Sequence, residues 1–315
     1  MIARLLDVFV TLVIPAYAIV ALGWLVARRP LLPLAWLAVY RRLVFDLVLP
    51  VYLLRTLASV ELPAEPPFAF IATYYLATAA VYGSVTLLGW RRHGGPTANI
   101  LGLGAVYANA ILLGVPLITA ALGPEAAVPL FALVALHAPL LALATGVLAE
   151  VTAPAVGQGI GALLRQVGLG MVRNPIILAI SAGLACNLAF GPLSPAWQAR
   201  TALVGQLVPG LALLAMGVGL AGYHLRAAVP VAAGLSGVKL LVHPLAVGVA
   251  LWALPDLPRL WWLSAVLMAA MPTGVNVYLF AARQRAGEAE AAATVAFATP
   301  LSMLTLTLII ALLAP

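Results

Sequence analysis

Two polar interruptions in an otherwise apolar chain hold the residue types that could do chemistry. The first, ANAILLGVPL, groups Asn109, Gly114 and Pro116; the second, MAAMPTGVNVYLFAA at 268 to 282, groups Pro272, Thr273, Gly274 and Asn276. Proline and glycine interrupt helices, and asparagine adds an amide that donates and accepts. Such a set suits binding of a carboxylate or an ion by amides and freed backbone groups. Four ionisable residues join them: Lys239, Asp46, His137 and His243. Charges inside a membrane span are costly and are functional candidates by default. The Lys239 ammonium is a counter-charge for an anion or part of a proton-linked switch, or else it pairs with Asp46 or a carbonyl. Asp46 pairs with Arg42 at i, i+4 or carries a proton or cation. His137 and His243, each beside a proline, relay protons or pack through hydrogen bonds. Other chemistries find no support. HExxH, GxSxG and G-(x)4-GK[ST] motifs are missing, Cys186 is the single cysteine, and His93, His137, His224 and His243 are scattered, so neither a metal nor a cofactor is implied.

The elements that must position these residues are membrane helices. Of 315 residues, 64% are hydrophobic and 8% charged, with a mean hydropathy of +1.13; soluble domains carry about 25% charged residues. The net charge of +7 sits in short loops between apolar spans, a topology signal rather than a nucleic-acid face. Windows of roughly 20 apolar residues predict an all-α polytopic protein with spans at about 6–27, 35–57, 67–90, 97–121, 125–149, 173–190, 196–222, 227–254, 258–282 and 289–314. The breaks carry turn chemistry: RRPLLP, ELPAEPP, RRHGGP, LGPE, FGPLSP, LPDLP and RQRAGEAE. One side holds Arg28, Arg29, Arg41, Arg42, Arg91, Arg92, Arg165, Arg173, Arg226, Arg283 and Arg285; the other holds Arg4, Arg200 and Arg259. The first side is therefore expected in the cytoplasm of an inner or plasma membrane, with both termini outside. The first span continues past the cleavage-like AYA and reads as retained. Glu150, Arg55 and Asp7 read as interfacial, and Glu288 and Glu290 suit the start of the last helix. Glycines in GLG, GVGLAG and GLSG read as helix-packing positions.

The loop at 151–172, with an amphipathic stretch suited to an in-plane helix, divides the chain into residues 1–150 and 173–315. Five spans is an odd number, so a repeat of five must be inverted against its copy. DLVLPVYLL in span 2 echoes QLVPGLALL in span 7, setting Pro50 opposite Pro209; spans 4 and 9 each combine Asn, Gly and Pro, and spans 5 and 10 carry Pro139 and Pro300. Interrupted segments at matching positions of inverted halves point to a transporter's binding site. A broken helix in lipid is tolerated only where it is buried in protein or lines a wet cavity, and each half-helix N-terminus favours an anion.

ANAILLGVPL resembles the Asn-(x)4-Gly-x-Pro-Leu signature of the auxin efflux carrier family, and AAMPTGVNVYLFA resembles its ninth-span signature. RNPIILAISAGL, ALLAMGVGL, KLLVHPL and ATPLSMLTL are similar in the same order along the chain. The resemblance implies ten helices as two inverted five-helix repeats, a scaffold and a transport domain moving in elevator fashion, and spans 4 and 9 unwinding to cross at the substrate site. It implies an organic anion such as malate or another carboxylate as cargo. Plant carriers have a longer central loop and a second proline after the span-9 glycine, where this chain has Val277, so the expected cargo is a small carboxylate rather than auxin.

The resulting expectation is a secondary transporter working by alternating access, with Asn109 and Asn276 touching substrate. Its partners are lipid, the anion and a proton or sodium ion as coupling ion, and a homodimer is compatible with it. Alternatives are a sodium-coupled bile-acid-type symporter, which would want more carboxylates near the crossover, and a membrane-embedded enzyme, for which catalytic groups are lacking.

Overall fold

The computed structural model describes residues 1–29, 32–63, 67–152, 159–222 and 228–313. Parts of RRPLLP, ELPAEPP and the 151–172 linker, together with His224 and Arg226, lie outside the described residues. Those described are nearly all helical, as 64% apolar residues in lipid require, because a helix pairs its own backbone.

Among the described residues, six helices are long and apolar enough to cross a membrane: Ile2–Arg28, Phe68–His93, Pro124–Val151, Ala202–Leu220, Val229–Trp252 and Glu288–Leu313. A pair, Ile160–Arg173 and Pro175–Phe190, bends by 60° and makes a seventh if taken as one span. Its joint is Asn174, whose side chain accepts from the N–H groups of Ile176 and Ile177 and so starts the second helix. Four of the ten expected spans thus take another form. Leu34–Leu43, Val44–Val48 and Leu49–Ser59 run on as one helix that carries Arg41, Arg42, Asp46 and Arg55. Pro175–Phe190 is 16 residues long. The span-4 segment divides into Gly95–Val106, Ala110–Gly114 and Val115–Leu122, and the span-9 segment into Arg259–Ala270 and Asn276–Gln284.

Four prolines are absorbed in one way. Widened π-turns at Phe9–Val13, Val44–Val48, Ala110–Gly114 and Val238–Val242 precede Pro15, Pro50, Pro116 and Pro244. In each, the residue before the proline bonds five residues back: Ile14 to Phe9, Leu49 to Val44, Val115 to Ala110 and His243 to Val238. A proline has no N–H to give and its ring clashes with the carbonyl four residues earlier; a wider turn relieves the clash without ending the helix. Pro139, Pro209 and Pro300 lie inside α-helices instead, so Pro50 and its sequence echo Pro209 differ locally.

Ile2–Arg28 packs along Ala202–Leu220, and Leu49–Ser59 along Pro175–Phe190. A Cβ at Gly217 would overlap the carbonyl of Val20, and one at Gly23 would overlap the carbonyl of Leu214, so these two helices touch backbone to backbone. Gly102 is similarly closed off by Thr86 and Tyr82. The GLSG reading is corrected: a Cβ at Gly234 or Gly237 meets nothing within 4 Å, so these glycines face open space. Phe68–His93 packs on Gly95–Val106 and on His243–Trp252, and Val229–Gly237 lies against Glu288–Leu313. These contacts surround the two broken helices.

Candidate functional site

The second break follows from local rules. Pro272 cannot donate to Met268, and the residue before a proline is pushed to extended backbone; Met271 has φ −59° and ψ 145°. Nothing in Ala105–Ala108 forbids a helix, yet Gly95–Val106 ends and Tyr107 turns extended at φ −69°, ψ 108°. Tertiary pairing imposes that first break.

The two breaks cross and are stitched together. Ala108 and Thr273 form an antiparallel bridge, in which Asn109 N–H donates to the Pro272 carbonyl at 2.9 Å and Gly274 N–H to the Tyr107 carbonyl at 3.0 Å. In an unbroken helix Ala108 N–H would bond the Gly104 carbonyl. Here His137 Nε2 accepts from Ala108 at 3.0 Å, while Thr273 Oγ1 donates to Gly104 at 2.8 Å. The Ala269 carbonyl, which Thr273 N–H would have met, accepts from Lys239 Nζ. Much of the backbone freed by the breaks is thus already paired, and the side chains are left to meet a ligand.

Asn109, Gly274 and Asn276 line a cavity of about 380 Å³ with Tyr107, His137 and Asp46, within the size range of small-molecule sites. Asn109 is 7% exposed. The Asn276 amide donates to the Tyr107 hydroxyl at 2.7 Å, which fixes its orientation. Tyr107 stacks edge-on against His137, ring centres 4.9 Å apart, and His137 Nδ1 has no partner among the described residues. A second cavity of about 440 Å³ shares Tyr107, Ala138, Gly170, Asn174 and Asn276 with the first and adds Gln166 and Arg283. The helix Ile160–Arg173 walls both. A larger hollow of about 540 Å³ on Leu245, Val249, Trp252 and Trp262 is lined by apolar side chains and offers an anion little.

The remaining expected site residues divide. Gly114 and Pro116 lie one turn beyond the break, where a Cβ at Gly114 would press on Met271 at 3.3 Å, and Pro272 and Thr273 form the stitched backbone behind the cavity. Asp46 pairs with Arg42 at 3.3 Å, both side chains largely exposed; such a pair contributes about 0–1 kcal/mol. Lys239 and His243 are fully buried away from the cavity. Lys239 meets a carbonyl rather than Asp46, with His243 Nδ1 at 3.4 Å, and His243 Nε2 lies 3.1 Å from Thr78 Oγ1. Sequence reasoning missed Tyr107, whose signal was an aromatic with a polar tip two residues before Asn109, and the cavity-wall residues Arg173, Asn174 and Gln166.

Comparison with known proteins adds two findings. Residues 147–310 match the family described as "Membrane transport protein". A protein of Rhizobium meliloti (strain 1021) named "Putative malonate transporter" is 30% identical over 310 residues, covering 94% of this chain and 93% of the relative.

Proposed function

The chain belongs to this membrane transport protein family, that of the auxin efflux carriers, and from that premise we propose that it is a secondary active transporter of a small organic anion. The cargo is a carboxylate bound at the crossover, and alternating access carries it across. The observation that carries this reading is the stitched crossing of two broken helices, with Asn109 and Asn276 both lining one cavity. Two amides suit a carboxylate, which accepts hydrogen bonds at both oxygens. We read ten crossings in two inverted halves, 1–150 and 173–315, with Ile160–Arg173 lying in the membrane plane between them. The antiparallel sense of the bridge is what inverted halves would produce. On this reading the arginine-rich side is cytoplasmic, both termini are outside, and the cavity, rimmed by Asp46 and Arg173, opens inward. Span 1 packs on span 7 and span 2 on span 6; on this reading these four form the scaffold and the others the transport domain. The name of the Rhizobium relative makes malonate the first anion to try.

The test is thermal stabilisation of purified protein by mono- and dicarboxylates, followed by uptake in proteoliposomes. Losing a hydrogen bond to a charged group costs about 1.5–3 kcal/mol, so Asn109→Leu and Asn276→Leu should each weaken binding by roughly 10- to 100-fold while the protein stays folded in detergent. Wild-type affinity in both variants, or stabilisation only by cations or neutral solutes, would overturn the reading.

A further inference from the structure

The crossover has a chemical requirement that its backbone bridge does not meet. Breaking a helix orphans donors on one side of the cut and acceptors on the other, and in lipid each orphan costs several kcal/mol. At the first break the orphan left beside the bridge is a donor, Ala108 N–H, and His137 Nε2 meets it at 3.0 Å from the neighbouring helix Ala127–Thr152. At the second it is an acceptor, the Ala269 carbonyl, which lies at the negative end of Arg259–Ala270 and is met by Lys239 Nζ from the turn Val238–Val242. Each orphan has received a side chain of the complementary kind.

We propose that His137 and Lys239 are positioning residues that hold the two breaks in register, His137 acting as a neutral acceptor and Lys239 as a donor. The proposal rests on reading the crossover as the substrate site. A backbone N–H only donates, so Nε2 must present its lone pair and the ring proton sits on Nδ1. A second proton on His137 would occupy that lone pair and expel Ala108 from the bond. Tyr75 and Tyr107 flank the ring, Asp46 and Arg173 stand around the same cavity, and Lys239 and His243 lie deeper in the protein. Carrying a proton on His137 would therefore break the crossover that binds the cargo. Lys239 needs only an N–H to give, so its role is separable from its charge.

Hydrogen exchange read by mass spectrometry across residues 105–111 tests the first half without any ligand. His137→Leu should speed exchange at Ala108 about tenfold, the effect of losing a bond of about 1.4 kcal/mol, and should weaken malonate binding to a similar degree. His137→Gln, which restores an acceptor, should recover most of both and keep the wild-type pH profile of uptake. For the second half, Lys239→Gln keeps a donor and should bind malonate within a few-fold of wild type, while Lys239→Leu should not. Unchanged Ala108 exchange in His137→Leu, failure of His137→Gln to rescue, a pH profile altered by His137→Gln, or equal defects in Lys239→Gln and Lys239→Leu would overturn the proposal. If the wild-type protein binds no carboxylate at all, the transport reading fails, while the exchange result still stands for or against His137.

Discussion

At the scale of single residues, the proposed site depends on amides held in place by neighbours. Asn276 is oriented by the Tyr107 hydroxyl, and that hydroxyl sits beside the cavity that Asn276 lines. Tyr107→Phe keeps the ring packed against His137 and removes one bond of about 1 kcal/mol. Substrate affinity should fall by roughly three- to tenfold with little change in unfolding temperature. Titration calorimetry and a melting curve on the same preparation check both halves; an unchanged affinity would mean that the amide needs no such support. Asp46, by contrast, spends its charge on exposed Arg42. The depth of Lys239 in an apolar span was legible as a buried cation seeking a partner. Whether the partner is Asp46 or a carbonyl stayed open, because a freed backbone oxygen leaves no mark on residue type; it is the Ala269 carbonyl.

At the scale of elements, legibility follows the cause of each feature. The second break is written in Pro272 and Gly274, whose backbone chemistry is local. The first is not written in Ala105–Ala108, because it exists through pairing with a segment far along the chain. Asn109 lies within the cut and Gly114 and Pro116 follow it, but none of the three marks where Gly95–Val106 ends. Glycines divide in the same manner, since their spacing looks alike whether a neighbouring helix touches them or not. Gly217 meets the backbone of Ile2–Arg28, so Gly217→Ala should push two helices apart and destabilise the protein by about 1–3 kcal/mol, as overpacking does. Gly234→Ala adds its methyl to open space and should be neutral or slightly stabilising, because alanine is the better helix former. Melting temperatures of the two variants in one detergent test the contrast; equal losses would refute it.

At the scale of the whole molecule, sidedness is the property to measure. Gly170 lines both of the cavities that Asn276 lines, and a Cβ there meets nothing within 4 Å, so a cysteine fits. With Cys186, the single native cysteine, replaced by serine, Gly170→Cys should react with a membrane-impermeant thiol reagent in inside-out vesicles several-fold faster than in right-side-out ones. If the proposed function holds, a bound carboxylate should slow that reaction. Equal labelling from both sides would reject the proposed orientation. The same molecule-wide view gives the four proline-linked π-turns a common consequence. Each is a place where the chain holds one residue more than an ideal helix of the same rise would need, and the surplus rotates every later side chain by about 100°. A span built this way can gain or lose a residue at that turn and still reach both faces of the bilayer. The side chains at its two ends are therefore set in angle independently of each other.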